Sequence, residues 1–152
     1  MQLTQYTDYA IRTLLYLGAH REEVVPVTAI AEAYGISAHH LAKVAQMLTR
    51  EGFVRAQRGK KGGLQLAREP ELIAIGEVVR RTEPNFHLVE CFDAAHNSCP
   101  ISGACRLQHV LEDARRAFLK VLDGVTLGEL LGNQQQLVQL LGRAEATRDP
   151  PA

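Results

Sequence analysis

The stretch that most limits the fold lies between residues 27 and 66, where the spacing of apolar residues switches from helical to alternating. Ile30 and Ala31 fall in a short helical segment that ends at Gly35, and Ser37 caps a second helix running to about Arg50. Ala31 is small enough to let the two helices approach, and Gly35 accepts the positive φ of a tight turn. Ile36, Leu41, Val44 and Leu48 then lock the second helix against the first. Val54 to Arg58 and Leu64 to Leu66 alternate apolar and polar, and Gly59-Lys60-Lys61-Gly62-Gly63 between them predicts a hairpin with a basic glycine tip. Two amphipathic helices joined by a glycine are a plain motif on their own. Followed by that hairpin, they predict a winged helix–turn–helix. Upstream, Ile11, Leu14 and Leu15 mark a helix from Thr7 to His20, with Thr7 as N-cap and Asp8 in its first turn, broken by Glu22 to Pro26.

The second helix is predicted to expose His39, His40, Lys43 and Gln46, with its N-terminal part entering a major groove. Thr28 and Ser37 near the two helix starts join the candidate DNA contacts. So do Arg58, Lys60, Lys61 and Gly62 in the wing, which places cations near phosphates or a narrow minor groove. The formal net charge is zero, from 17 basic and 17 acidic side chains. Evenly mixed, such charges would argue against a polyanionic partner. They are not mixed: residues 1–68 carry 9 basic and 5 acidic groups, and residues 69–152 carry 8 and 12. A solvated face would give the same count, so the helix–hairpin pattern has to decide, and it favours DNA. The phosphate-loop pattern G-x-x-x-x-G-K-[ST] is absent, as are G-x-S-x-G, H-E-x-x-H and the dinucleotide glycine pattern, so no enzyme is expected.

Cys91, Cys99 and Cys105 are the only cysteines, spaced C-x7-C-x5-C across a polar, loop-like segment. An odd number cannot pair fully as disulfides, and three thiols on one loop can converge on a metal. Three unrelated buried thiols are the bland alternative, weakened by their clustering. Zinc, with His96 or His109 as a further donor, prefers tighter cysteine pairs, whereas wider spacing suits an iron–sulfur cluster; spacing alone leaves both open.

Leu107, Leu111, Ala114, Phe118 and Val121 step by fours and threes along a helix to Leu122, a seam suited to another helix of the same chain or of a second copy. Thr126 opens a short helix through Leu131, and the segment after Gly142, ending Asp149-Pro150-Pro151-Ala152, reads as a disordered polar tail. The expected architecture is mainly α with a small β-hairpin wing: a winged helix–turn–helix plus a long dimerisation helix. Its parts are a DNA-binding domain over residues 1–82, a cysteine loop with dimerisation helices over 83–131, and a C-terminal tail over 132–152. No apolar run approaches the ~18 residues of a membrane helix. Met1 to Gln5 lacks a signal-peptide start, so a cytoplasmic protein is expected.

Several of these pieces match one group. Met1-Gln2-Leu3-Thr4 through Thr7-Asp8-Tyr9-Ala10, the wing Arg58 to Leu64, and Ile75-Gly76-Glu77-Val78-Val79-Arg80 belong to the match. So do Glu90-Cys91-Phe92, Cys99-Pro100-Ile101 and Cys105-Arg106-Leu107. Over roughly residues 1 to 131 the chain resembles the bacterial iron–sulfur winged-helix repressors, and within them the nitric-oxide-sensitive group. The resemblance implies a homodimer on double-stranded, palindromic operator DNA, with Cys91, Cys99 and Cys105 holding a 2Fe-2S or 4Fe-4S cluster. It implies that nitric oxide attacks the cluster and releases the DNA, so that protective genes are expressed. A relative in the same superfamily uses a histidine three residues after its last cysteine; here that position is Gln108, with His109 one step on. In the nitric-oxide-sensitive members a carboxylate from the partner's first helix serves instead, which implies Asp8 of the partner subunit as fourth ligand. A first-turn acid favouring the helix dipole is the other reading of Asp8.

Overall fold

The computed structural model describes residues 2–146, with side chains through residue 142. Helix α1 (Gln5–Ala19) leads into the helix–turn–helix, α2 (Val27–Tyr34) and α3 (Ala38–Arg50). The hairpin β1 (Val54–Gln57) and β2 (Gly63–Leu66) follows, antiparallel, with Val54 opposite Leu66 and Gln57 opposite Gly63. Then come α4 (Ile75–Thr82), an irregular cysteine-bearing segment, α5 (Arg106–Asp123), α6 (Leu127–Leu130) and α7 (Gln134–Ala146).

The turn between α2 and α3 forms as its residues require. Gly35 sits at φ 65°, and its N–H bonds back to Ala31 and Glu32 carbonyls, closing α2 in the left-handed cap that suits glycine. Ala31 beneath it is buried, with Ile30, Leu41, Val44 and Leu48 around it. Leu14, Leu17, Phe53, Ile73, Val78, Val79 and Leu127 complete one core, so α1, the helix–turn–helix, α4 and α6 form one packed body. The hairpin alternation is only partly expressed in burial. Val54 and Leu64 are buried, while Ala56 is exposed.

Several expectations need correction. The cap of α1 is Thr4 rather than Thr7: Thr4 is extended, and its hydroxyl accepts the Thr7 N–H at 3.3 Å. Thr7 lies inside the helix and turns its hydroxyl into the core, donating to Thr82 at 2.9 Å. Ser37 occupies the N-cap position of α3 but makes no side-chain cap bond. The segment before α2 is more than a breaker, because Val25 and Leu64 exchange backbone bonds of 2.9 and 2.8 Å and so extend the hairpin by one bridge. Gly63 permits this approach, since a Cβ there would lie 2.4 Å from the Val25 carbonyl oxygen.

The open seam of α5 is also rotated. Leu111 is half-buried and Phe118 packs on the chain's own core. Leu107 (60% exposed), Val110 (61%), Ala114, Ala117 and Val121 (67%) form the uncovered row, again in steps of three and four. The 132–152 segment contains α7, with the Gln134 side-chain amide donating to the Ala19 carbonyl at 2.8 Å. The end Asp149-Pro150-Pro151-Ala152 lies outside the described residues.

Candidate nucleic-acid interface and cysteine loop

The face of α3 away from the core carries His39, His40, Lys43 and Gln46, all exposed, with the two imidazoles 6.1 Å apart. Thr28, in the first turn of α2, and Ser37 are exposed beside them. Because Ser37 does not cap α3, its hydroxyl is not spent within the helix start. The wing tip is built by its glycines. Gly59 adopts φ 109°, and a Cβ on Gly62 would lie 2.5 Å from the Gln57 carbonyl oxygen, so Arg58, Lys60 and Lys61 project from a tight, exposed turn.

Ion pairing separates the cations more sharply than counting does. Arg12, Arg21, Arg50, Arg68, Arg80, Arg81, Arg115 and Arg116 each sit against a carboxylate. Among the described residues, those without an ion pair are Lys43, Arg55, Arg58, Lys60 and Lys61 on α3 and the hairpin, plus Arg106 and Lys120 on α5. Cations left unneutralised along one helix and the adjoining wing are suited to phosphates. Arg55, bonded to Gln65 at 3.2 Å across the hairpin, joins the candidate phosphate contacts.

The cysteine loop begins where α4 ends. Glu83 accepts the Thr4 N–H at 2.8 Å and the Thr4 hydroxyl at 3.0 Å, tying the loop's start to the first turn of α1. From that turn the Tyr6 phenol donates to the Lys43 carbonyl of α3 at 3.3 Å. Burial raises the phenol pKa, against the opposing effect of Arg50, so it remains a donor. Neither link was read from the sequence. Both join residues far apart in the chain, and nothing local marks them.

Cys91, Cys99 and Cys105 are unpaired and partly buried. Cys91 lies in a short 3₁₀ turn (Glu90–Phe92), and Cys105 is the N-cap residue of α5. A thiolate at Cys105 therefore faces the positive end of a helix dipole. Among the described residues no three His, Cys, Asp or Glu side chains lie close enough together to hold a metal ion. Cys91 shares a cleft of about 500 Å³ with His87, Phe92, Ser102, Gln108 and His109, while Cys99 and Cys105 are not in its lining. Asp8 is held by its own helix, with Arg12 donating to both carboxylate oxygens at 3.0 and 2.9 Å. Within the loop, Asp93 accepts from His96 at 2.8 Å, and this bond is the main cause holding its carboxyl below the ordinary range.

The donor set nonetheless fits a thiolate-held group. Three unpaired sulfurs lie on a segment without long regular elements, which can draw its ends together, and one is already at a helix N-terminus.

A helix–turn–helix with a basic wing, carried on one core and presenting free cations on α3 and the hairpin, defines a winged-helix transcriptional regulator. Residues 3–133 match the Rrf2 family, described as an iron-dependent transcriptional regulator. The chain is 49% identical over 146 residues to the HTH-type transcriptional regulator NsrR of Bacillus subtilis (strain 168), an alignment spanning 95% of this chain and 100% of that one. Among solved structures, a transcriptional regulator from Listeria innocua is similar at a TM-score of 0.71 with 30% identity, over 86% of each chain. T. potens IscR shares the fold, with a TM-score of 0.69 and 24% identity over 100% of this chain and 94% of that one. The chain belongs to the Rrf2 family, and it is a transcriptional regulator rather than an enzyme. Among the described residues no helix is long and apolar enough to cross a membrane.

Proposed function

We propose that the protein is a cytoplasmic, homodimeric repressor that binds palindromic operator DNA through α3 and the wing. Cys91, Cys99 and Cys105 hold an iron–sulfur cluster, and nitric oxide is the signal that relieves repression of nitrosative-stress genes. The observation that carries this reading is the placement of the cysteine loop. It is bonded through Glu83 to the start of α1, and at Cys105 it becomes α5, whose outer row of apolar side chains is uncovered. Identity to NsrR over nearly the whole chain supports the choice of signal.

The bound cluster would supply iron that takes up nitric oxide as a ligand. The rest is done by the chain. Three thiolates donate from one loop, and Asp8 of the partner subunit is the fourth donor. For this role Asp8 must leave Arg12, so the ion pair on α1 and the ligand role compete for one carboxylate. A non-thiolate donor also leaves one position easier to displace. Movement of the loop reaches the reading helix through Glu83 to Thr4, along the first turn of α1, and through Tyr6 to the Lys43 carbonyl. The Leu107, Val110, Ala114, Ala117 and Val121 row of α5 pairs with its copy, which sets the two α3 helices for two half-sites.

Anaerobic purification with iron and acid-labile sulfide assays, followed by operator binding before and after nitric oxide, tests the reading. Iron with sulfide and loss of binding on nitric oxide are expected. Zinc without sulfide, or binding indifferent to nitric oxide, overturns it.

A further inference from the structure

Glu90 and Ser98 stand one residue ahead of Cys91 and Cys99, and they are bonded to each other across the loop. One Glu90 oxygen, Oε1, accepts the Ser98 backbone N–H at 2.5 Å and the Ser98 hydroxyl at 2.6 Å. Bonds to a carboxylate of this kind are short and roughly twice as strong as neutral ones. They matter here because the tip of the loop is not packed: Ala94, Ala95, His96 and Ser98 are exposed. The loop interior is instead folded by its own side chains. Asp93 accepts from the Ala95 N–H at 3.1 Å, and Asn97 accepts from the Cys99 N–H at 3.0 Å. Only the Glu90–Ser98 pair spans the whole interval between the two cysteines, whereas the other bonds are local.

The geometry points to Glu90 as a positioning residue that closes the Cys91–Cys99 loop before any metal arrives, so that both sulfurs leave from one pre-folded turn. This rests on the cluster-binding reading above, and it adds a residue whose role is to hold thiols rather than to ligate. Pre-closing the loop means its ordering entropy is met by protein–protein bonds instead of by the metal–thiolate bonds. After the cluster is lost, the Cys91–Cys99 turn stays closed while the loop as a whole is free to move, and the turn can be refilled.

Two measurements separate the clamp from the cluster. In the metal-free protein, the Ser98 amide should exchange about tenfold more slowly than in Glu90→Ala. Equal exchange rates overturn the clamp, whatever metal the protein takes up. In anaerobically reconstituted protein, decay of the visible absorption under a chelator gives the cluster lifetime. Glu90→Ala should shorten it about tenfold, and Ser98→Ala, which keeps the backbone bond, by about threefold. The double variant should match Glu90→Ala, because both changes break one interaction. Glu90→Gln keeps an acceptor oxygen in place and should stay within about threefold of wild type. A Glu90→Ala lifetime equal to wild type, effects that multiply in the double variant, or a Glu90→Gln as damaging as Glu90→Ala each overturn the proposal. Wild-type protein that takes up no iron and sulfide overturns the cluster reading instead, and the exchange result still decides whether Glu90 closes the loop.

Discussion

The reading half and the sensing half of this chain are built in opposite ways. Through α4, each helix has several buried side chains, and the one core they share is closed within a single copy. Past Thr82 only Leu119 and Leu127 among the described residues are buried in it. Helix α5 is the longest among the described residues, yet Leu119 is its only buried side chain, and Leu107, Val110 and Val121 stand more than half exposed. The tip of the loop ahead of it is exposed and is held by carboxylates and an asparagine. The first half is finished as a monomer. The second is left open at the places where, on the function proposed above, a second copy and a metal group would complete it.

The largest effect should come from spoiling the open row of α5. Ala114→Arg places a charge in the middle of the proposed seam without touching the winged-helix core. Sedimentation should show a monomer of unchanged helical content, with operator affinity down by about 1,000-fold as specific two-site binding is lost. A dimer that survives this change would move the interface off that row.

Next in size is Cys99→Ser, which should remove iron and sulfide and lower operator affinity by about 100-fold, the upper range of ordinary coupling between sites. Unchanged thermal unfolding of the metal-free protein would show that this loss comes from the sensing half alone. Operator binding equal to wild type would mean that the two halves are not coupled through the cysteine loop.

The contrast between halves also marks what the sequence could reveal. Gly35 and the Gly59 to Gly63 tip were legible because positive φ and tight turns admit few residue types, so the helix–turn–helix and wing could be placed from local chemistry. The thiols of the candidate site were legible because cysteine is rare in this chain. The seam was only half legible. Two four-and-three rows run along α5, and sequence alone does not say which one the chain keeps for itself. The structure gives bulky Phe118 to the chain's own core and turns small Ala114 and Ala117 outward, where a close helix approach is possible. The Glu83–Thr4 and Tyr6–Lys43 links had no local signal, since each depends on two distant segments meeting. The cap on α1 was misplaced for a related reason: Thr4 and Thr7 are both good caps, and Thr82 in the core decides which hydroxyl turns inward.

A smaller effect is expected from Lys60→Ala with Lys61→Ala. Neither lysine has an ion pair, so both are free for phosphates. Binding should weaken across all sequences, and the slope of log affinity against log salt should flatten by about 0.9 per lost phosphate contact. An unaltered slope with weaker binding would assign the wing to shape or base contacts rather than to the backbone.

The smallest effect tests the joint between the halves. Arg80 on α4 pairs with both oxygens of Asp123 at the end of α5, with 2.7 Å for the Nη2–Oδ2 contact. This bond holds the Asp123 carboxyl below its ordinary value of 3.8. A carboxylate whose pKa is depressed by folding contributes stability above its unfolded value and loses it as the pH falls through the folded one. Wild type should therefore melt slightly above Asp123→Asn at neutral pH, by a small margin because the pair is exposed, and the gap should close on acidification. The alternative is steric. A Cβ on Gly76 would lie 2.8 Å from the Asp123 backbone nitrogen, so α4 rides directly on the end of α5 at that point. If Gly76→Ala is far more damaging than Asp123→Asn, and the latter shows no pH-dependent gap, the halves are joined by that fit and the charge pair only decorates it.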